Sequence, residues 1–115
     1  MRRLPNERAA LTRAKARLDR LGLYPRPVRT DGVRALVVPW LFRLPALRRY
    51  DGYALPNTIL LRHAGLGEDL LAHELCHVWQ MQHGRLRVFR AWLRFPYEQN
   101  PFELEARRAV AETRS

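Results

Sequence analysis

The chain has 115 residues, a formal net charge of +10 and a single cysteine. One domain of this length can bury a modest core without staples, and one cysteine excludes an intrachain disulfide and fits a reducing compartment. No apolar run reaches the roughly 20 residues of a membrane span, and the basic N-terminus leads into a charged helix rather than an apolar leader. The expectation is therefore a cytoplasmic protein with a single domain over 1–115.

Residues 6–21 read as an amphipathic helix. Asn6 is placed to cap it, Ala10, Ala14, Leu18 and Leu21 form its stripe, and Gly22 ends it. After the Tyr24-Pro25-Arg26-Pro27 link, Val28–Thr30 and Val33–Val38 read as short strands around the Asp31-Gly32 turn. Residues 39–56, interrupted by Pro39, Pro45, Gly52 and Pro56, read as an irregular lid carrying Trp40, Leu41, Phe42, Leu44 and Leu47. Thr58–Arg62 is a strand by length and β-branching.

Gly65-Leu66-Gly67 then breaks the chain. Glu68 and Asp69 place negative charge at the positive end of a helix that Gly84 stops. At about 100° per residue, Asp69, Leu70, His73, His77 and Gln80 share one face of that helix, and Leu71, Leu75 and Val78 share the opposite one. The helix is expected to pack one side on a core and turn the other to a cleft. Leu86, Phe89 and Leu93 recur at helical spacing before Pro96. Asn100-Pro101 opens a last helix to about Thr113, as an N-cap followed by proline at the first helical position. The order predicts an α+β fold: a small mixed or antiparallel three-stranded sheet packed on a central helix, with N-terminal and C-terminal helices.

The central helix carries His73-Glu74-Leu75-Cys76-His77, an H-E-x-x-H run. Two imidazoles four residues apart lie one turn above another and can grip one zinc ion; Glu74 can take a proton from water on the metal's open side. A catalytic zinc needs a third protein ligand. His83 stands at the metzincin interval, but Gln80 occupies the place where that family has its helix-ending glycine, so His83 is directed away from the shared ion. After His77 the acids are Glu98, Glu103, Glu105 and Glu112. Periodicity does not separate Glu103 from Glu105, since both flank the Phe102, Ala106, Ala109, Val110 stripe. Glu103, three residues past Asn100, suits a capping box, which favours Glu105 as ligand. Asp69, one turn before His73, is a candidate to orient it. Tyr50, Tyr53, Tyr97 and His63 are candidate oxyanion donors.

His73-Glu74-Leu75-Cys76-His77-Val78-Trp79-Gln80, followed by Asn100-Pro101-Phe102-Glu103-Leu104-Glu105-Ala106, resembles the gluzincin pattern in its minimal single-domain form. It is similar to the minigluzincins and to compact bacterial metallopeptidase domains of the ImmA/IrrE type. The resemblance spans roughly Thr58 to Ala111. It implies His73, His77 and Glu105 as zinc ligands, Glu74 as general base, and hydrolysis of a peptide or protein substrate. An extended substrate is expected to pair with the free edge of the Thr58–Arg62 strand beneath the lid. The rival arrangement has that strand covered and the enzyme latent.

The charge suggests a second class. Lys15 is the only lysine, and the arginines are dispersed with no recognised nucleic-acid motif around them, so specific nucleic-acid binding is not expected. The alternative function is a basic module for nucleic acid or an anionic surface, with a structural or inactive zinc. Trp40, Phe42, Phe89, Trp92 and Phe95 alternate with arginines, which suits an anionic membrane surface or, more simply, core aromatics between solvated arginines.

Overall fold

In the computed structural model, described over residues 1–114, the chain is α+β, with four α-helices and a four-stranded mixed sheet. Strand β1 (Arg2–Arg3) precedes helix α1 (Glu7–Asp19). Strands β2 (Arg34–Val37), β3 (Gly52–Leu55) and β4 (Thr58–Leu61) lead to helices α2 (Glu68–Gln82), α3 (Arg85–Arg94) and α4 (Pro101–Thr113). The spatial order is β1-β2-β4-β3. β2 and β4 are parallel, and both outer pairings are antiparallel.

The sheet differs from the expected three strands in a way that matters for the cleft. Val28–Thr30 does not pair, so the hairpin around Asp31-Gly32 is absent; the Val28 amide is instead taken by Asp19 Oδ1 at 2.8 Å. The extra pairing comes from the supposed lid. Gly52–Leu55 runs antiparallel to β4, joined to it by the two-residue Pro56-Asn57 turn. Gly52 and Pro56 end this strand rather than forbid it, which composition alone could not reveal. The remainder of the lid opens with a 3-10 turn over Pro39–Arg43 and continues through consecutive turns to Asp51. It buries Phe42 completely and leaves Trp40 mostly exposed.

The consequence for β4 is direct. It has β2 on one side and β3 on the other, so it has no free edge and cannot accept an added strand as expected. The free edge beside the helix belongs to β3.

Helix α2 is central, as its two-sided pattern requires. Leu71, Ala72, Leu75, Cys76, Val78 and Trp79 are buried, and α2 packs against α1, α3, α4, β3 and β4. α1 contributes Leu11, Ala14 and Leu18 to the core, and α4 contributes Ala106, Ala109 and Val110. Small residues on α4 let it lie close along α2. Asn6 does not cap α1 through its side chain; it sits in the left-handed region at φ 58°. Glu7, the first helical residue, folds inward and accepts the Ala35 amide at 2.8 Å, tying α1 to β2. Among the described residues, no helix is long and apolar enough to cross a membrane.

α3 corrects a second expectation. Its buried face is Val88 and Ala91. Leu86, Phe89 and Leu93 face outward, and Phe95 is also exposed, so the aromatics of this segment are not a core.

Candidate metal centre

His73 and His77 project from α2 toward α4, and one acid meets both of them. Glu103 Oε1 lies 3.0 Å from His73 Nε2 and 2.9 Å from His77 Nε2. The three side chains form a cluster that can hold a metal ion. His77 and Glu103 are buried and His73 is nearly so. The other Glu103 oxygen accepts from Arg107 Nε, one turn further along α4, at 2.8 Å.

The acid in this position is Glu103, not Glu105. Asn100 caps α4 alone: its Oδ1 accepts the Phe102 amide at 2.9 Å, and its backbone N–H donates to Tyr97 O. No capping box forms, which frees Glu103 to turn to the histidines. The face of α4 buried against α2 carries Glu103, Ala106 and Val110, with Glu103 only 1% exposed. Glu105 lies at the margin of that face and does other work. Its Oε1 accepts from the Tyr24 hydroxyl and from Gln80 Nε2. Arg107, four residues after Glu103, holds the outer carboxylate oxygen, but the sequence offers Glu105 the same kind of partner in Arg108, so this spacing does not separate the two acids.

Gln80 fixes the proton pattern of the cluster. Its Nε2 donates to Phe102 O and to Glu105 Oε1, both at 2.9 Å. The reverse amide orientation would set its oxygen against two acceptors. Gln80 Oε1 therefore accepts from His77 Nδ1–H at 2.8 Å. In neutral His77 the Nε2 atom then carries only a lone pair, and it faces a carboxylate. Lone pairs converge here that only a cation reconciles: a proton on the imidazole or a metal ion. The donor set, imidazole nitrogens plus carboxylate with the far side of one ring anchored, fits a divalent metal of borderline softness.

The electrostatics agree. Burial opposes charge on His77, but the bond to Glu103 and the nearby Glu74 charge outweigh it and raise its pKa. Burial likewise opposes charge on Glu103, yet its bonds to His73 and His77 pull it far below the usual carboxylate range. Burial raises the Glu74 pKa, with the two histidines acting against the shift.

Glu74 extends to the other side of the cluster, into a cleft of about 700 Å³ that His77 and Glu103 also line. Its carboxylate presses on β3. A Cβ built on Gly52 would stand 3.1 Å from both Glu74 Cγ and Oε2, so any larger residue there would push the carboxylate from its place by a few tenths of an ångström. The cleft runs between β3 and α3. Tyr53 and Leu55 line it from the strand, and Leu86, Phe89, Trp92 and Leu93 line it from the helix. Tyr50 and Tyr97 close the end nearest the cluster, their rings 4.9 Å apart, and the Tyr97 hydroxyl is raised by burial and by the Glu103 charge. Of the four candidate oxyanion donors, the three tyrosines border the cleft and His63 does not.

The other candidates lie apart. Asp69 does not orient His73: it pairs with Arg17 and Arg114, each at 2.8 Å, linking α2 to α1 and to the end of α4. These guanidinium groups lower its pKa, the Arg17 bond most. His83 ends α2, stacked on Tyr24 with ring centroids 5.0 Å apart, and takes no part in the cluster. Cys76 is fully buried, and burial pushes its thiol pKa up, which makes it inert packing. Compared with protein-family models, curated proteins and solved structures, the chain matches none.

Proposed function

We propose that this protein is a small zinc-dependent hydrolase that cleaves peptide bonds, a minimal gluzincin with Glu103 in place of Glu105 as third ligand. The observation that carries the reading is the approach of His73 Nε2 and His77 Nε2 to one oxygen of Glu103, with the Glu74 carboxylate beside them in the cleft.

When bound, zinc would polarise a scissile carbonyl and acidify water. The remaining steps belong to the chain. His73, His77 and Glu103 hold the ion. Gln80 keeps the His77 ring in the tautomer that presents Nε2. Glu74 takes the proton from water and returns it to the leaving amine. The free edge of β3 offers main-chain groups to an extended peptide, and the apolar walls of the cleft favour apolar side chains next to the scissile bond.

The test is elemental analysis of protein purified without chelator, paired with peptide hydrolysis. About one zinc per chain is expected, lost in a His73→Ala, His77→Ala double variant. Glu74→Gln should keep the metal and lower turnover by roughly a hundredfold or more. Full occupancy in the double histidine variant would refute the site. Undiminished hydrolysis by Glu74→Gln would refute the mechanism.

A further inference from the structure

Three large apolar side chains of α3 lie in water: Leu86 is 63% exposed, Phe89 59% and Leu93 75%. They are spaced three and four residues apart, so they form one outward stripe rather than scattered exceptions. Arg85 borders the stripe on one side and Arg90, Arg94 and Arg87 follow on the other, and all four are exposed. Among the described residues none of the four forms an ion pair, and no acid occurs between Glu74 and Glu98. Elsewhere among the described residues six arginines pair with carboxylates, Arg8 with Glu7, Arg13 with Glu68, Arg17 and Arg114 with Asp69, Arg62 with Asp51 and Arg107 with Glu103; what sets α3 apart is that its unpaired arginines flank an exposed apolar stripe with no acid on the same helix.

We propose that α3 is a docking helix for an anionic lipid surface, seating Leu86, Phe89 and Leu93 at the headgroup boundary with its arginines on lipid phosphates. The charge pattern selects this occupant. A nucleic acid would engage the arginines and leave the apolar stripe in water. An apolar protein groove would cover the stripe and leave four guanidinium groups without counter-charge. A bilayer carrying anionic lipid answers both, since its phosphates lie just outside its hydrocarbon. Trp92, partly exposed beside the stripe, has the amphipathic ring that favours such a boundary. The same stripe forms one wall of the cleft beside His77 and Glu103, so docking turns the mouth of the cleft toward the headgroups. This inference alters no residue of the metal cluster and does not depend on the hydrolase reading.

The experiment is co-sedimentation of the full chain with vesicles of phosphatidylcholine alone or mixed with phosphatidylglycerol, each variant checked for native circular dichroism. Wild type is expected on the mixed vesicles and not on phosphatidylcholine alone. Each arginine near an anionic surface contributes about fivefold in partitioning. The variant Arg85→Gln, Arg87→Gln, Arg90→Gln, Arg94→Gln should therefore lose binding by at least two orders of magnitude. A control with the same net charge, Arg2→Gln, Arg3→Gln, Arg29→Gln, Arg108→Gln, should lose far less. Leu86→Ser, Phe89→Ser, Leu93→Ser should detach from the mixed vesicles as well. In a Trp40→Phe background, where Trp79 stays shielded in the core, lipids brominated on their acyl chains should quench the Trp92 share of the emission and leave the Trp79 share. Equal losses in the two arginine variants, undiminished binding of the serine variant, or wild type remaining in solution with mixed vesicles would each overturn the proposal.

Discussion

Glu103 and Glu105 stand two residues apart on α4, and replacing each in turn tests the geometry of the cluster. Glu103 Oε1 lies within 3.0 Å of both imidazole Nε2 atoms, whereas Glu105 reaches His77 only through Gln80. A structural zinc site with four protein ligands is worth about 10–16 kcal/mol, or roughly 3 kcal/mol per ligand. Removing one ligand should therefore weaken zinc by more than about a hundredfold, at about 1.4 kcal/mol per factor of ten. Removing a group that orients a ligand costs about 10- to 100-fold, and one step further out should cost less. The expected order of zinc dissociation constants is Glu103→Ala weakest, Gln80→Ala intermediate, and Glu105→Ala within about tenfold of wild type. Competition with a chromophoric chelator measures all of them, and circular dichroism of the chelated forms confirms that α4 stays folded. Glu105→Ala stripping the zinc while Glu103→Ala retains it would mean that the opposite flank of α4 faces the histidines.

Two further outcomes follow from the same neighbourhood. Gly52→Ala should leave zinc content unchanged but lower hydrolysis roughly tenfold or more, because the added methyl would stand 3.1 Å from the Glu74 carboxylate and must displace it; unchanged turnover would remove β3 from the positioning of that group. In the chelated protein, the raised His77 pKa contributes stability that is complete below about 6.5 and lost as pH climbs through the folded value. The raised Glu74 pKa acts in the same direction from about 4.5 upward, whereas Glu103, held below 4.5, loses its contribution only in acid. Urea midpoints with chelator should thus fall above about pH 6.5, and zinc should restore them; a chelated protein that gains stability from pH 7 to 9 would contradict the proton pattern assigned to His77.

The helices were legible in the sequence because each carries a local signal. The Gly67 and Gly84 breaks bound α2, Asn100-Pro101 opens α4, and the pairing of H-E-x-x-H with a later acid pointed to these two helices. What escaped was decided between elements. β3 is four residues that open on Gly52 and stop before Pro56, too short for periodicity, and is a strand only because β4 is there to receive it. The choice between Glu103 and Glu105 turns on the rotation of α4 against α2. That rotation is set by burial of Ala106, Val110 and Thr113 and by the Tyr97 carbonyl taking the Asn100 backbone N–H. Neither is visible in a stripe that both acids flank. The outward face of α3 escaped for the opposite reason: Leu86, Phe89 and Leu93 have the spacing of a core stripe, and spacing does not say whether anything lies opposite.

The placement of β4 between β2 and β3 also sets up a gradient of rigidity across the cleft. β4 is bonded on both sides and leads into α2, which is enclosed by helices and sheet, so the histidines stand on the part of the molecule that should open last. β3 is held on one side only and ends in a tight turn, so its amides should exchange with solvent at far lower cost than those of β4. Glu74 spans the two regimes, rooted in the stiff helix with its carboxylate against the soft strand at Gly52. Anything that completes the open edge of β3 would stiffen the one surface that fixes where that carboxylate rests.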